Sequence, residues 1–102
     1  MRRTATFLMA NLGSDMSQLF SYIDKGELEK AKSPAERANK IIDELLDHPE
    51  LNGRKMEVEI LRKIIEDAFS EERIFEVKKE EIEDYFMPFA LRALAENKII
   101  SN

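Results

Sequence analysis

The sequence contains no cysteine and no tryptophan, and only three glycines and three prolines in 102 residues. Without cysteine there are no thiol nucleophiles, disulfides or thiolate zinc ligands. This composition suits a reducing compartment, so we expect a cytoplasmic protein. The three glycines are dispersed, which excludes a glycine-rich phosphate loop. Long apolar runs are also missing: polar residues interrupt the weakly charged stretch 4–23 at helical spacing, so we expect neither an export signal nor a membrane span.

Acidic residues are in slight excess, with 21 Asp and Glu against 16 Lys and Arg, which gives a formal charge of −5. A nucleic-acid-binding domain needs a basic face. The densest basic set is Arg54, Lys55, Arg62 and Lys63, and acidic residues alternate with it, as on a solvated helix. We therefore expect no nucleic-acid partner. The length fits one domain spanning 1–102, and no repeat or linker divides it.

Apolar residues recur at helical spacing in four segments, which predicts an all-α, four-helix up-down-up-down bundle. Helix 1 ends at Lys25-Gly26, where the glycine is typical of the first residue beyond a helix. Helix 3 spans about 54–69. Helix 4 spans about 79–96 and is expected to kink at Pro88, with a tail over 99–102. The linker residues Ile74, Phe75 and Val77 are expected to tuck inward.

Helix 2 has two interpretations because Pro34 interrupts an otherwise unbroken apolar phase. A short turn over 27–32 could precede a helix over 34–47, or one helix could be kinked at Pro34. An interior proline costs about 3 kcal/mol, so we favour the break. Ser33 and Glu36 also form a capping-box pattern around Pro34, which favours a helix start there.

The core is predicted from residues in the middle of each apolar arc. We expect all of them to be buried: Leu12, Phe20, Ile42, Leu45, Leu61, Ile65, Phe86 and Phe89. Gly13 is unfavourable inside a helix by about 1 kcal/mol, so we expect a close packing contact there. Ala10, Gly13, Ser14 and Ser17 form a strip of small residues that would allow another helix to approach.

Two aromatic residues, Phe7 and Tyr22, project from the otherwise polar side of helix 1. A fourth helix could cover them, or they could anchor a protein partner, including a second copy across a two-fold axis. They are the candidate interaction residues.

Five charged residues sit in apolar-rich surroundings and are candidates for structural ion pairs: Asp15, Arg37, Asp43, Arg62 and Asp67. Arg62 in particular is expected to pair with one of the three aspartates. Paired carboxylates could instead perform acid–base chemistry, but nothing else completes a catalytic constellation. Glu44 and His48 are i,i+4 and could share a divalent metal. The attraction of His48 to the carbonyls at the helix C-terminus explains its position without a metal. We expect no catalytic residue, metal or cofactor.

Several short pieces of the chain resemble a family of small uncharacterised prokaryotic all-helical proteins. The most distinctive piece is Ala-Asn-Leu-Gly-Ser-Asp at 10–15; the others include Lys25-Gly26, Arg37-Ala38, Leu61-Arg62 and Tyr85-Phe86. This resemblance implies a fold class and no activity. More distantly, the chain is similar to helical bundles of the higher eukaryotes and prokaryotes nucleotide-binding family. Their ribonuclease motif, an arginine followed by a histidine after four to six residues, is missing, because ten residues separate Arg37 from His48. This likeness therefore implies a non-catalytic partner subunit.

We therefore expect a non-enzymatic protein that acts through protein–protein contact, as a homodimer or an accessory subunit. The alternative is a partner subunit of a toxin–antitoxin or nucleotidyltransferase pair, binding a partner enzyme or a nucleotide. A flat apolar surface would favour the first function. An open pocket lined by Asp15, Asp43 and Arg62 would favour an enzyme.

Overall fold

A computed structural model describes residues 3–51 and 53–101 of the chain, with side chains up to residue 96. Its elements are four helices: α1 (Ala5–Asp24), α2 (Leu28–Leu46), α3 (Lys55–Ala68) and α4 (Lys79–Ser101). The described residues contain no strand. The all-α class with four helices is therefore confirmed.

Both ends of α1 have a local cause. The Thr4 hydroxyl oxygen accepts a hydrogen bond from the Phe7 amide at 3.1 Å, which satisfies one of the free amides of the first turn. At the other end, Gly26 has a φ of 72°, a conformation that glycine adopts without steric cost. The predicted end of helix 1 at Lys25-Gly26 is confirmed.

The predicted break at Pro34 is wrong, because α2 is one helix from Leu28 to Leu46. Ser33 and Glu36 therefore lie inside the helix and do not cap it. Pro34 is fully buried, and Ala31 and Ala38 on either side of it are fully buried as well. Both halves of α2 thus bury the same apolar face, and this shared burial offsets the hydrogen bond that the proline removes.

The boundaries of the last two helices are partly as expected. Helix α3 matches its prediction within one residue at each end. The predicted stop near residue 97 is wrong, because α4 continues to Ser101, and neither glycine nor proline stands there to end it. Of the linker residues, Phe75 and Val77 are partly buried, but Ile74 is 83% exposed, so its predicted inward placement is wrong.

Helix α1 is the centre of the fold, since it contacts all three other helices. Helices α2 and α4 pack along it, and α3 packs mainly on α2. Within the described helices, no Cα atoms of α3 and α4 lie within 8 Å of each other. These two helices meet only through long side chains, which leaves a groove between them.

The core is confirmed at every predicted position. All eight predicted core residues are buried, with exposures between 0% and 9%: Leu12, Phe20, Ile42, Leu45, Leu61, Ile65, Phe86 and Phe89.

Helices α1 and α4 approach each other closely at Gly13. A Cβ atom built at Gly13 would lie 2.6 Å from both Cβ and Cγ of Phe86, well inside van der Waals contact. Four residues further along, the Ser17 hydroxyl donates a 2.9 Å hydrogen bond to Glu83. Gly13 and Ser17 of the small-residue strip thus face α4, and the expected packing role of Gly13 is confirmed.

Candidate interaction surface

Helix α4 carries apolar side chains on its solvent-facing side as well as on its buried side. Met87, Leu91 and Leu94 are 51%, 59% and 59% exposed. They are spaced i, i+4 and i+7, so they form one stripe along the helix. Phe86 and Phe89, on the other side, are buried in the core. Packing within the described chain therefore uses only one of the two apolar faces of α4.

The contact between α1 and α4 shows which side of the molecule this stripe occupies. Gly13 lies against Phe86 and Ser17 against Glu83, so the two helices run antiparallel at this contact. The same register brings Phe7 to the level of positions 92 and 93, between Leu91 and Leu94. At about 100° per residue, Phe7 and the α4 stripe both project toward the side marked by the Ser17–Glu83 hydrogen bond.

These four residues, Phe7, Met87, Leu91 and Leu94, define what we call the outer α1/α4 surface. Phe7 is 45% exposed, so all four side chains present substantial apolar area to solvent. The Arg3 guanidinium carbon lies 5.9 Å from the centroid of the Phe7 ring. Further along the same side, polar residues of both helices line a depression: Ser14, Ser17, Gln18, Ser21, Tyr22, Lys25 and Lys79. Polar and charged groups therefore border the apolar surface at both ends, as at protein interfaces.

Tyr22 does not share this surface with Phe7. The two residues are 15 positions apart, which is about 22 Å along a helix. Tyr22 is partly buried and packs against the core, whereas Phe7 is exposed. The sequence pattern groups Phe7 with Tyr22 because both project from the otherwise polar side of helix 1. The α4 residues near Phe7 could be found only from the register between the two helices.

Arg37 and Asp15 join α2 to α1. The Arg37 Nε atom donates to the Asp15 carboxylate at 3.0 Å, and a second nitrogen donates to the Gln18 side chain at 2.7 Å. Arg37 also donates to the Ser33 hydroxyl at 2.9 Å. The side chain of Asp15 is 16% exposed and that of Arg37 is 49% exposed, so solvent screens the pair from the arginine side. It is a structural link between two helices.

Arg62 and Asp43 form the corresponding link between α3 and α2. The Arg62 guanidinium donates to the Asp43 carboxylate and lies 3.5 Å from the Asn39 side-chain oxygen. The Asp43 side chain is 71% exposed, so solvent screens the pair. Arg62 does pair with an expected aspartate. Each of the three aspartates Asp15, Asp43 and Asp67 pairs with a different arginine, so Arg62 does not gather them into one cluster.

Asp67 organises the turn that follows α3. Its side chain is 7% exposed, and its two carboxylate oxygens accept hydrogen bonds from the Ile74 amide at 2.7 Å and the Phe75 amide at 3.0 Å. The Arg73 guanidinium lies 3.9 Å away. The sequence identified Asp67 as an ion-pair candidate but missed this role. Predicting this role requires knowing that the loop folds back and brings residues seven and eight positions after Asp67 to its carboxylate.

His48 is buried and connects the turn after α2 to the segment before α1. Its Nδ1 accepts a hydrogen bond from the Glu50 amide at 3.1 Å, so its Nε2 is the donor to the Arg3 carbonyl oxygen at 2.7 Å. Glu50 in turn accepts from the Ala5 amide at the start of α1, at 3.0 Å. The side chain of His48 therefore bonds to the segment before α1. The prediction that it interacts with the last carbonyls of α2 is wrong.

The groove between α3 and α4 is mainly apolar and has a volume of about 250 Å³. Ile60, Ile64 and Val77 line it, and the Tyr85 hydroxyl bridges it by donating a hydrogen bond to Glu57. Burial raises the pKa of Tyr85 strongly, and the hydrogen bond to Glu57 adds to this increase. This bridge stabilises the protonated phenol and links helices whose backbones remain apart.

The structure gathers no set of groups suited to metal binding in the part of the chain that it describes. No cluster of three or more His, Asp or Glu side chains is found among those residues. No helix in the described ranges is long and apolar enough to cross a membrane.

No known family model matches the chain, and no curated protein or solved structure matches it either. The two family resemblances drawn from short motifs therefore stay predictions. Any assignment of function depends on the geometry of this chain itself.

Proposed function

We propose that this chain is a non-enzymatic protein that acts through protein–protein contact, forming a homodimer through the outer α1/α4 surface. The observation that carries the proposal is the position of Phe7, Met87, Leu91 and Leu94 on one side of the α1/α4 pair, each at least 45% exposed. Contiguous exposed apolar surface with a polar border is typical of interaction sites.

The distribution of exposed apolar residues supports this choice of surface. Among the described residues, eight large apolar side chains are exposed, and four of them belong to the outer α1/α4 surface. The other four lie elsewhere: Leu28 begins α2, Met56 and Ile60 share α3, and Ile74 lies in a loop. Single exposed apolar residues are normal, but a stripe backed by a second helix is not.

The shape of the bundle belongs to the same proposal. We propose that the four helices are connected up-down-up-down and that α4 kinks at Pro88. The antiparallel contact of α1 and α4 supports the first part. Pro88 supports the second, because it removes one amide donor from the interior of α4. A kink there would bend the α4 stripe between Met87 and Leu91.

We also propose a cytoplasmic location, which suits a chain without cysteine.

Light scattering coupled to size-exclusion chromatography tests the homodimer. We expect the unmodified chain to have twice its monomer mass of 11.9 kDa at about 100 μM, a concentration chosen to populate a micromolar dimer. Leu91→Glu introduces a charge into the middle of the surface, which should shift the protein to the monomer mass. Its circular dichroism should remain that of a folded helical protein, because Leu91 is not part of the core.

Met56→Glu is the matched control. Met56 is 79% exposed on α3, so the same charge is added to a helix outside the outer α1/α4 surface. We expect this variant to keep the dimer mass. A monomeric unmodified chain, or equal effects of the two substitutions, would contradict the proposal.

A further inference from the structure

We propose that the groove between α3 and α4 binds a small organic cation, an ammonium group attached to one compact apolar group, with Glu57 as the partner of the ammonium. The groove lies apart from the outer α1/α4 surface, so this inference does not depend on the proposed homodimer. It assigns a ligand class to a cavity that the packing of the four helices leaves open.

The size of the groove suits a small ligand. Its volume is about 250 Å³, and Ile60 and Ile64 of α3 line it opposite Val77 and Ile82. Sites for drug-sized ligands have roughly 300–1,000 Å³, and sites between the helices of a bundle are common. A water molecule occupies about 30 Å³ in the liquid, so the groove has the volume of about eight waters. An aromatic ring with a short alkyl chain is therefore of suitable size.

The charge of the groove selects a cation. Glu57 and Glu81 are among its lining residues, whereas none of those residues is Lys, Arg or His. Within the described residues, neither glutamate has an ion pair with a basic side chain. Arg54, three residues before Glu57, instead has its guanidinium carbon 5.3 Å from the centroid of the Phe89 ring. An uncompensated negative charge beside an apolar wall is complementary to a ligand that is cationic at one end and apolar at the other.

Glu57 is better placed than Glu81 to hold the ammonium. The Tyr85 hydroxyl donates to Oε1 of Glu57, and Oε2 has no donor among the described residues. Glu57 is partly buried, so solvent screens its charge less than that of the exposed Glu81, whose Oε1 already accepts from the Lys78 amide at 3.3 Å. An ammonium has several N–H donors and can bond to Oε2 while the bridge to Tyr85 remains.

The spacing of the α3 residues gives the direction of the apolar part of the ligand. Ile60 and Ile64 follow Glu57 by three and seven positions, so the three side chains lie along one side of α3. Seven residues span about 10 Å of helix, which is the length of apolar wall available beyond the carboxylate. A bare metal ion does not suit this lining, since Ca²⁺ and Mg²⁺ require six or more oxygen ligands and most of the wall is hydrocarbon.

Nuclear magnetic resonance titration of the isotopically labelled chain tests the site with phenethylammonium, at one fixed protein concentration and about pH 7. We expect saturable shifts of the amides of Ile60, Ile64, Val77 and Ile82, with a dissociation constant of about 0.1–1 mM, as is usual for a ligand of this size. Phenethyl alcohol, which has the same ring without the charge, should bind about tenfold more weakly. Phenylacetate, with the opposite charge, should cause no saturable shift.

Substitutions identify the carboxylate that is used. Glu57→Gln keeps an accepting oxygen for Tyr85 and removes the charge, so it should weaken phenethylammonium binding by about tenfold. Glu81→Gln should have a smaller effect, because that side chain is exposed. Glu59→Gln is the matched control: Glu59 is exposed on the same helix and does not line the groove, so the affinity should be unchanged. The spectra themselves show whether each variant is folded.

The three probes on the unmodified chain decide the proposal even if a variant fails to fold. No saturable shift with phenethylammonium up to about 10 mM would overturn it. Equal binding of the alcohol or of phenylacetate would overturn it as well, because the groove would then be a general apolar cleft. Equal effects of Glu57→Gln and Glu59→Gln would refute the role of Glu57. If dilution of the protein alone shifts the Ile60 and Ile64 signals, a second copy occupies the groove and the ligand site is refuted.

Discussion

Replacing Gly13 with alanine is the sharpest test of how α1 and α4 pack. On an exposed helix, Gly→Ala stabilises a protein by about 1 kcal/mol, because alanine has the higher helix propensity. At Gly13 the added Cβ would lie 2.6 Å from both Cβ and Cγ of Phe86. These atoms are next to the backbone of α4, so a simple rotation of the phenylalanine cannot make room, and the helices must move apart.

Forcing an extra methyl group into a packed contact costs about 1–3 kcal/mol. Because this cost competes with the gain in propensity, we expect Gly13→Ala to lower the free energy of unfolding by about 1 kcal/mol or more. Urea denaturation followed by circular dichroism measures the change, at one fixed protein concentration in case of dimerisation. Ser14→Ala, at the adjacent exposed position, is the control, and we expect it to be neutral or slightly stabilising.

A double-mutant cycle shows whether Phe86 is the cause. Phe86 is 4% exposed, so Phe86→Ala alone should cost about 3–5 kcal/mol. Phe86→Ala removes the contacts of Cγ and Cδ1 but keeps Cβ at 2.6 Å, so the penalty of Gly13→Ala should shrink only in part. If Gly13→Ala stabilises the protein as Ser14→Ala does, the close contact between α1 and α4 is refuted.

Two further predictions concern polar groups that are partly or fully buried. Asp67→Asn should lower the free energy of unfolding by about 1–3 kcal/mol, because the asparagine side chain has one accepting oxygen for the two backbone N–H groups of Ile74 and Phe75. An equal effect of Asp24→Asn, at an exposed site, would contradict this. Tyr85 should ionise at higher pH in the folded protein than in urea, and Tyr85→Phe should remove this late step from the absorbance titration at 295 nm. Because folding raises the Tyr85 pKa above its unfolded value of about 10, the stabilisation from Tyr85 is complete below pH 10 and is lost as the pH rises further. Unfolding data that show no such loss in the wild type relative to Tyr85→Phe would contradict the buried bridge to Glu57.

Features that depend on one helix at a time were predictable from the sequence. The apolar arcs identified all eight core residues, and the mid-helix glycine pointed to a close contact. The end of α1 was predictable because Gly26 is a local signal. These features depend on residues within a turn or two of each other, so periodicity and capping rules describe them.

Features that depend on tertiary contacts were missed. The break at Pro34 was expected from a local cost, but burial of the proline ring along one continuous face outweighs that cost. Asp67 as the acceptor for Ile74 and Phe75 depends on the loop folding back. The exposed stripe of α4 was not predicted from the sequence. Its continuity with Phe7 requires the register between two helices.

Sedimentation equilibrium of the unmodified chain, over about 1–100 μM, shows whether the chain forms a dimer, because it measures self-association without any substitution. We expect a mass that rises from 11.9 kDa toward twice that value and then stops increasing, as a closed two-fold dimer requires. A constant mass of 11.9 kDa at every concentration would contradict the claim that the outer α1/α4 surface binds a second copy.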